Sequence, residues 1–331
     1  MKKISVLTLV LLLLSSALFA EDAKVLPSMT SRIFAVPTYS FAMGAYDNEG
    51  TYQSFDDGSI KLFNLGFALE YGVTNWITAA LKWIPGWTVL SDIQATTGRN
   101  NTNANGVADI FAGAKIQIAG ERAPIRTFNM RLAVEPGVII PLPGPDFPEE
   151  ARRSASRLAA TFANMDKHVF AAGARLYYDW IINDYFFLNF YNETIFYPFR
   201  QDLYKDAPAF SLVSASGKVD YKYRLSFEME PVFTLPISRE IDIYIGLPVN
   251  FRFSPAYDYY FDSPVALSPL LNVMHIDPQY SLNINPGLSI FFKTLPLPME
   301  FKLQSGIPVW GRNTIARFDV SLQLRAYFAF Y

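Results

Sequence analysis

The sequence predicts an all-β fold: a transmembrane up-and-down antiparallel β-barrel of about twelve strands, preceded by an N-terminal signal peptide. Three observations predict it: an apolar leader, strand-length segments in which apolar and polar residues alternate, and connections that are alternately short and long. The composition agrees, because the chain is 16% aromatic and only 18% charged. After the leader, it has no run of about 20 apolar residues that would serve as a membrane helix.

The first twenty residues have the layout of a secretory signal peptide. Lys2 and Lys3 precede an apolar core over residues 6–14, and small residues follow. Cleavage is expected after Ala20, with Ala17 as the alternative. The barrel would then occupy residues 21–331, in the outer membrane of a diderm bacterium. The absence of cysteine excludes disulfides, thiolate metal sites and a lipid anchor at a new N-terminus.

The C-terminal segment RFDVSLQLRAYFAFY shows the alternation over its whole length. Apolar residues take the even positions from Phe318 to Phe330, and polar residues such as Arg317 and Asp319 take the odd ones. The same period recurs in segments that begin near residues 30, 59, 75, 106, 125, 168, 185, 219, 239, 279, 298 and 314. These segments reach the roughly 9–11 residues that a membrane strand needs.

The connections alternate in length, as short periplasmic turns and long outer loops do. Short ones begin at residues 72, 120, 182, 237 and 294, and the last outer connection, residues 311–314, is predicted to be a tight hairpin. Residues 149–164 have helical spacing and are expected to form a short helix over or into the mouth. A soluble β-sandwich also alternates, but aromatic residues at the strand ends favour a barrel. These are Trp76, Trp83, Trp87, Trp180, Tyr197 and Trp310.

The polar parity of the strands predicts the residues that line the lumen, and these carry both signs of charge in balance. They are Arg32, Glu70, Lys82, Asp109, Lys115, Arg131, Glu135, Arg175, Asp179, Glu193, Lys222, Arg224, Glu228, Glu230, Asp242, Arg252, Glu300, Lys302, Arg317, Asp319 and Arg325. Balance argues against an ion-selective porin, and about twelve strands leave a narrow passage. A salt-bridged interior that only holds the barrel together is the alternative.

Two further features bear on passage through the barrel. The loop residues Tyr257, Tyr259, Tyr260 and Phe261 form a candidate ligand entrance. Prolines inside strand patterns are each expected to mark a bulge or a strand end, since proline cannot donate to the ladder. They are Pro37, Pro136, Pro248, Pro286 and Pro308.

Several segments resemble a known family: LGFALEYGVTNWITAALKWIPGW, GVADIFAGAKIQI, VEPGVIIPLPGP, NPGLSIFF and PVWGRNTIARFDVSLQLRAYF. They are similar to the outer-membrane proteins grouped with the meta-pathway of phenol degradation, which are distantly similar to FadL-type transporters. The resemblance implies transport of a hydrophobic or aromatic compound, outer-membrane lipid around the barrel and a small hydrophobic ligand. In FadL-type proteins a strand kink makes a lateral exit, and a kink at Pro136-Gly137 or Pro286-Gly287 would resemble it. Relief of strand twist at the outer rim is the favoured interpretation of these prolines.

The two ends of the mature chain depart from the resemblance. Only about ten residues separate the leader from the first strand, which is too short for the N-terminal plug of FadL-type transporters. The C-terminal strand is the expected signal for the barrel-assembly machinery, with Phe330 on the lipid-facing parity and Tyr331 one residue beyond it.

Other functional classes find less support. A hydrolase needs a histidine beside its nucleophile, and only His168 and His275 exist, neither with a recognisable signature around it. No metal site, cofactor or nucleic-acid partner is expected. A channel for small hydrophobic or aromatic molecules is the favoured function. A structural or adhesin-type surface barrel is the alternative, and a general porin or an outer-membrane hydrolase is less favoured.

Overall fold

The computed structural model describes residues 22–55, 59–94, 101–142, 169–202, 217–261 and 273–329. Within these ranges, twelve strands close into an antiparallel barrel, which confirms the predicted fold class. The strands are β1 Thr30–Tyr46, β2 Ile60–Thr74, β3 Ile77–Gln94, β4 Asn101–Val107 with Ile110–Gly120, β5 Met130–Ile140, β6 Ala171–Asn183, β7 Phe186–Phe196, β8 Tyr223–Pro236, β9 Ile241–Gly246 with Val249–Ser254, β10 Gln279–Ile284 with Gly287–Phe292, β11 Met299–Arg312 and β12 Thr314–Ala329.

The first and last strands close the barrel. β1 pairs with β2 on one side and with β12 on the other, where Thr30 lies opposite Ala329 and Tyr46 opposite Thr314. The predicted signal peptide at residues 1–20 and the predicted helix at 149–164 lie outside the described residues. Among the residues described, the structure holds no helix that is long and apolar enough to cross a membrane.

The two faces of the barrel differ in polarity as the alternation predicts. In β12, Val320 and Leu322 are exposed on the outside, whereas Ser321 and Gln323 are buried inside. In β1, Ile33, Tyr39 and Met43 are exposed as well. The outer face is therefore an apolar surface carried on strands, as lipid contact requires. Phe330 and Tyr331 lie outside the described part of the chain.

The ends of the barrel differ in their connections. At one end, called the turn end, short links such as residues 75–76 and 184–185 join neighbouring strands. At the other, the loop end, the chain between strands is longer except for Asn313, which joins β11 to β12. Asn313 has a φ of 50° and donates its backbone N–H to Asp47 O at 3.0 Å. The predicted tight hairpin is therefore confirmed.

Further short strands extend the barrel wall. Tyr52–Ser54 pairs with the end of β1, and Ile125–Arg126 lies parallel to the end of β4. At the loop end, a four-stranded sheet continues the chains of β7 to β10 beyond the rim. It consists of Gln201–Asp202, Gly217–Asp220, Tyr257–Phe261 and Val273–Ile276, and is called the outer sheet.

The strand prolines behave in two ways. Pro248 and Pro286 lie at strand ends, between the two segments of β9 and of β10, and Pro308 adjoins a register shift between β10 and β11. The expectation was wrong for Pro37 and Pro136, which lie inside β1 and β5 where the register stays constant. At these two positions the ladder to one neighbour is interrupted, and the pairing on both sides of the gap is strong enough to hold the register.

Candidate functional site: the lumen of the barrel

A chain of ion pairs with alternating sign runs around half of the inner wall. In order it comprises Arg32, Glu70, Lys82, Glu135, Arg175, Glu193 and Arg224, on strands β1, β2, β3, β5, β6, β7 and β8. The N···O distances between successive partners reach at most 3.5 Å. Each charge sits on the inward parity of its strand, so the pairs form across neighbouring strands, except for Lys82–Glu135, which spans β4 between β3 and β5.

Glu135 lies at the centre of this chain and is fully buried. Its carboxylate is 3.1 Å from Lys82 Nζ and 3.4 Å from Arg175 Nη1, and it accepts a hydrogen bond from the Tyr177 hydroxyl. Because these contacts are with two cations and a hydroxyl donor, they offset the desolvation of the buried carboxylate.

The N-terminal segment, residues 22–29, enters the lumen from the turn end. Ala23 is fully buried, and its N–H donates to Asp179 Oδ1 at 3.1 Å. The N–H of Leu26 donates to Thr78 Oγ1 at 2.8 Å, and Gln117 Nε2 donates to Ala23 O at 2.9 Å. The few residues judged too short for a full plug thus occupy part of the passage, which the sequence analysis missed.

A cavity of about 430 Å³ lies beside this segment, at the turn end. Val25, Leu26, Phe187, Val232 and Phe291 contribute apolar surface to its lining. The charged groups that also line it include paired ions, such as Arg325 and Glu300 at 3.0 Å. This turn-end cavity therefore combines apolar walls with charges that neutralise each other.

A second cavity, of about 470 Å³, lies at the loop end against β1, β9, β10 and β12. Its lining is mostly polar and includes Arg252, Asn283, Asn285, Arg317 and Asp319. Along β12 the two cavities follow one another, because Asp319 lines this loop-end cavity and Arg325 lines the turn-end cavity.

Uncharged polar side chains separate the two cavities along the strands. They are Ser40, Asn250, Asn285, Gln304, Ser321 and Gln323, each buried, and are called the neutral belt. Gln304 Nε2 donates to Asn285 O at 3.4 Å, which links β11 to β10 across this level. The belt lies between the two cavities on this side of the wall.

On the opposite side of the loop end, buried apolar side chains fill the interior and are called the outer apolar cluster. They are Phe111, Ile139, Val169, Ala171, Ile195, Tyr197, Val219 and Tyr221, with Tyr257 and Ile276 packed against them. Tyr197 therefore faces inward, which corrects its assignment to an external aromatic belt. The ring of Phe111 lies 3.7 Å from the Arg175 guanidinium carbon, so the cluster contacts the ion-pair chain directly.

Replacing Gly137 by Ala is expected to lower the free energy of unfolding by about 1–3 kcal/mol, because an added methyl overpacks this cluster. A Cβ at this position would overlap the Phe111 ring and lie 2.8 Å from Ala112 O. Urea unfolding in lipid vesicles measures the loss. The double variant Gly137→Ala/Phe111→Leu should recover part of it, and no recovery would mean that the backbone contact alone is responsible.

Most of the predicted lumen charges lie inside and have partners. Beyond the ion-pair chain, their contacts include Arg131–Asp179 at 3.3 Å, Lys302–Glu230 at 3.8 Å, Lys293–Asp242 at 2.7 Å, Arg317–Asp319 at 2.7 Å, Lys115 to Asp22 O at 3.1 Å, Leu142 N to Asp109 at 3.2 Å and Asn250 to Glu228 at 3.0 Å. Two predictions fit less well, because Lys222 is exposed and the Arg317 side chain is 42% exposed.

The predicted aromatic entrance does not come together. The rings of Tyr257 and Tyr221 are tilted against each other in the outer apolar cluster, with their centroids 5.2 Å apart. Tyr260 lies 4.7 Å from the Arg200 guanidinium carbon instead. The backbones of Tyr259 and Phe261 belong to the outer sheet, and their side chains lie outside the described residues. Tyr257 therefore packs against the outer apolar cluster, and the ligand entrance stays a prediction.

His275 has an acidic partner that its sequence neighbourhood did not reveal. Its Nδ1 lies 2.7 Å from Asp258 Oδ1, across the pairing of two strands of the outer sheet, and the histidine is exposed. His168 lies outside the described residues. In the described ranges, no group of three or more His, Cys, Asp or Glu residues is placed to hold a metal ion.

Comparison with known proteins yields structural likeness without sequence likeness. No known protein family and no curated protein matches the sequence. Among solved structures, an outer membrane channel from Pseudomonas putida F1 aligns with a TM-score of 0.65 at 12% identity, covering 94% of this chain and 100% of that chain.

Two further structures align more loosely. A Pseudomonas aeruginosa FadL homologue gives a TM-score of 0.38 at 10% identity over 92% of this chain and 91% of that chain. A mutant of the TodX monoaromatic hydrocarbon channel gives 0.40 at 8% identity over 92% and 91%. Of these three structures, the P. putida channel is close enough to compare architecture, and the likeness shows that this chain has the same β-barrel fold.

Proposed function

We propose that this chain is an outer-membrane channel of a diderm bacterium that passes small, hydrophobic or aromatic molecules through a narrow, charge-balanced lumen. The observation that carries the proposal is the succession of two cavities along the lumen, separated by the neutral belt and flanked by an apolar outer face. A structural or adhesin-type barrel, which transports nothing, would not need cavities of ligand size in its interior.

The lining of the turn-end cavity supports an apolar or aromatic solute. Phe187, Val232 and Phe291 offer apolar and aromatic contacts there, with Val25 and Leu26 of the N-terminal segment on the same cavity. The ions around them are paired, so the lining attracts neither sign of charge strongly. The P. putida protein of similar fold is itself an outer membrane channel, which agrees with this function.

The proposal includes two partners of the barrel. Outer-membrane lipid would cover the exposed apolar side chains, since such a surface is stable only against hydrocarbon. The barrel-assembly machinery would recognise the C-terminal strand, of which β12 is the described part.

The test is uptake of a neutral monoaromatic hydrocarbon by cells whose outer membrane carries this protein, compared with cells that carry the empty vector. We expect faster uptake of toluene, exclusion of sucrose in proteoliposomes, and a single-channel conductance well below that of a general porin. Uptake equal to the vector control would contradict transport and favour a structural barrel. A conductance in the range of general porins would contradict the narrow lumen.

Replacing large side chains of the neutral belt by smaller ones is expected to widen the passage between the two cavities. The double variant Gln304→Ala/Gln323→Ala removes two buried amides that lie between the cavities, each 1% exposed. We expect conductance and toluene uptake to rise several-fold, because the space they leave connects the cavities. The matched control is Gln279→Ala, which removes an amide from the loop-end cavity outside the belt and should change neither quantity by more than a small fraction. Equal values for both variants would place the constriction elsewhere.

A further inference from the structure

Arg252 differs from the other lumen arginines because no acidic side chain pairs with it among the described residues. It lies on the inward face of β9, opposite Ser226 of β8 and Ser281 of β10. Neither neighbour carries charge, so the cross-strand pairing that neutralises the rest of the wall is missing at this position. The guanidinium is only partly exposed and lines the loop-end cavity.

The carboxylates nearest to Arg252 are already engaged. The charged groups that act on it are Arg317, Arg224, Glu193 and Asp319. Glu193 lies 2.8 Å from Arg175 and 3.0 Å from Arg224, and Asp319 lies 2.7 Å from Arg317. The loop-end cavity therefore holds one positive charge in excess. A guanidinium that is removed from water without a counter-charge favours an anionic ligand.

A second observation in the same cavity points to a hydrogen-bond acceptor. Asn285 is 2% exposed, and its Nδ2 has no hydrogen-bond partner among the described residues. Asn283 and Asn313 add further amides to the lining, while Tyr46 and Ile315 add an aromatic ring and an aliphatic side chain. The cavity thus presents a cation and an unused N–H donor on one side, and apolar surface for the body of a ligand.

We propose that the loop-end cavity binds a small organic carboxylate with an apolar body, whose carboxylate pairs with Arg252 while the cavity amides donate to it. This names the substrate class of the proposed channel and rests on that function for its role in transport, although binding can be measured without transport. A monoaromatic acid combines the required charge with an apolar ring and fits within about 470 Å³. Benzoate is the probe that we choose.

The experiment is calorimetric titration of the purified full barrel in detergent at neutral pH, with the heat of empty micelles subtracted. Benzoate should bind about tenfold or more tightly than benzyl alcohol, which has the ring without the charge. It should also bind more tightly than acetate, which has the charge without the ring. Equal binding of benzoate and benzyl alcohol would overturn the carboxylate site, and equal binding of benzoate and acetate would overturn the apolar body.

Variants at Arg252 locate the site. Arg252→Gln should weaken benzoate binding about tenfold and leave benzyl alcohol unchanged, whereas Arg252→Lys should retain part of the affinity. The control Arg312→Gln removes an exposed cation at the same end, at the last residue of β11, and should have no effect. Equal losses for Arg252→Gln and Arg312→Gln would reduce the effect to general charge attraction and overturn the site.

Benzoate binding and toluene uptake test the carboxylate site and the channel function independently of each other. If benzoate binds through Arg252 but toluene uptake matches the vector control, the site stands and the channel function is lost. If toluene passes but benzoate does not bind, the channel function stands and the carboxylate site is overturned. Both conclusions require that each variant is folded. A difference in electrophoretic mobility between the unheated and the heated sample shows this.

Discussion

Deleting residues 22–26 is expected to raise the single-channel conductance of the barrel several-fold. The segment lies inside the lumen at the turn end, where Ala23 is fully buried and Leu26 is 6% exposed. It is held by hydrogen bonds to the wall, including those to Asp179 and Thr78. Removing it joins its volume to the turn-end cavity, which Val25 and Leu26 now line. Planar-bilayer recordings of the deletion and the full chain give the comparison.

A reversible form of the same test uses the absence of native cysteine. Ala23 and Ala133 pack in one buried cluster, so cysteines at these two positions should form a disulfide that fixes the segment to β5. The oxidised double-cysteine protein should have a lower conductance than the wild type, and reduction of the disulfide should restore the wild-type conductance. A variant in which a Gly-Ser sequence of equal length replaces residues 22–26 keeps the segment but removes its side-chain contacts. It shows whether the conductance depends on those contacts or only on a chain being in the lumen. A deletion that leaves the conductance unchanged would assign the constriction to the neutral belt.

The alternation predicted the barrel because period two is imposed on every strand that separates lipid from lumen. It therefore located the strands and the inward parity of the charges, such as Asp319 and Arg325 in β12. The rule weakens where the interior is itself apolar. Phe34 and Val36 face inward on β1 and pack with Ala68 and Ile84, so polarity alone does not identify their side of the strand.

There are physical reasons why the sequence pattern did not predict some features of the lumen. Residues 22–29 have no period, because they form no ladder and are placed by single hydrogen bonds to distant strands. Gln304 and Gln323 have the inward parity, but they carry no charge, so a lumen predicted from charged residues does not include them. A global balance of charges also could not show which cation lacks a partner. Arg252 stands alone because its cross-strand neighbours are serines, and that depends on register.

Replacing Glu135 by Gln is expected to lower the free energy of unfolding by about 3 kcal/mol, because it removes the buried carboxylate that Lys82 and Arg175 share and leaves Lys82 to Glu70 and Arg175 to Glu193. Lys82 and Arg175 both point to this carboxylate, at 3.1 Å and 3.4 Å, and both are largely buried. The change keeps the size of the side chain, so the loss reports the charge rather than a cavity. Urea unfolding in lipid vesicles, followed by tryptophan fluorescence, measures it.

The matched control is an ion pair of the same chemistry in a wetter place. Arg200 lies 3.6 Å from Asp220, with side chains 55% and 33% exposed, so Arg200→Gln should change the free energy of unfolding by at most about 1 kcal/mol. The double variant Glu135→Gln/Lys82→Met should be more stable than Glu135→Gln, since it removes a buried ammonium that has lost its nearer carboxylate and keeps Glu70 at 3.5 Å. Equal losses for Glu135→Gln and Arg200→Gln would mean that water reaches the ion-pair chain, and the lumen at this level would then be wider than the contacts around Glu135 indicate.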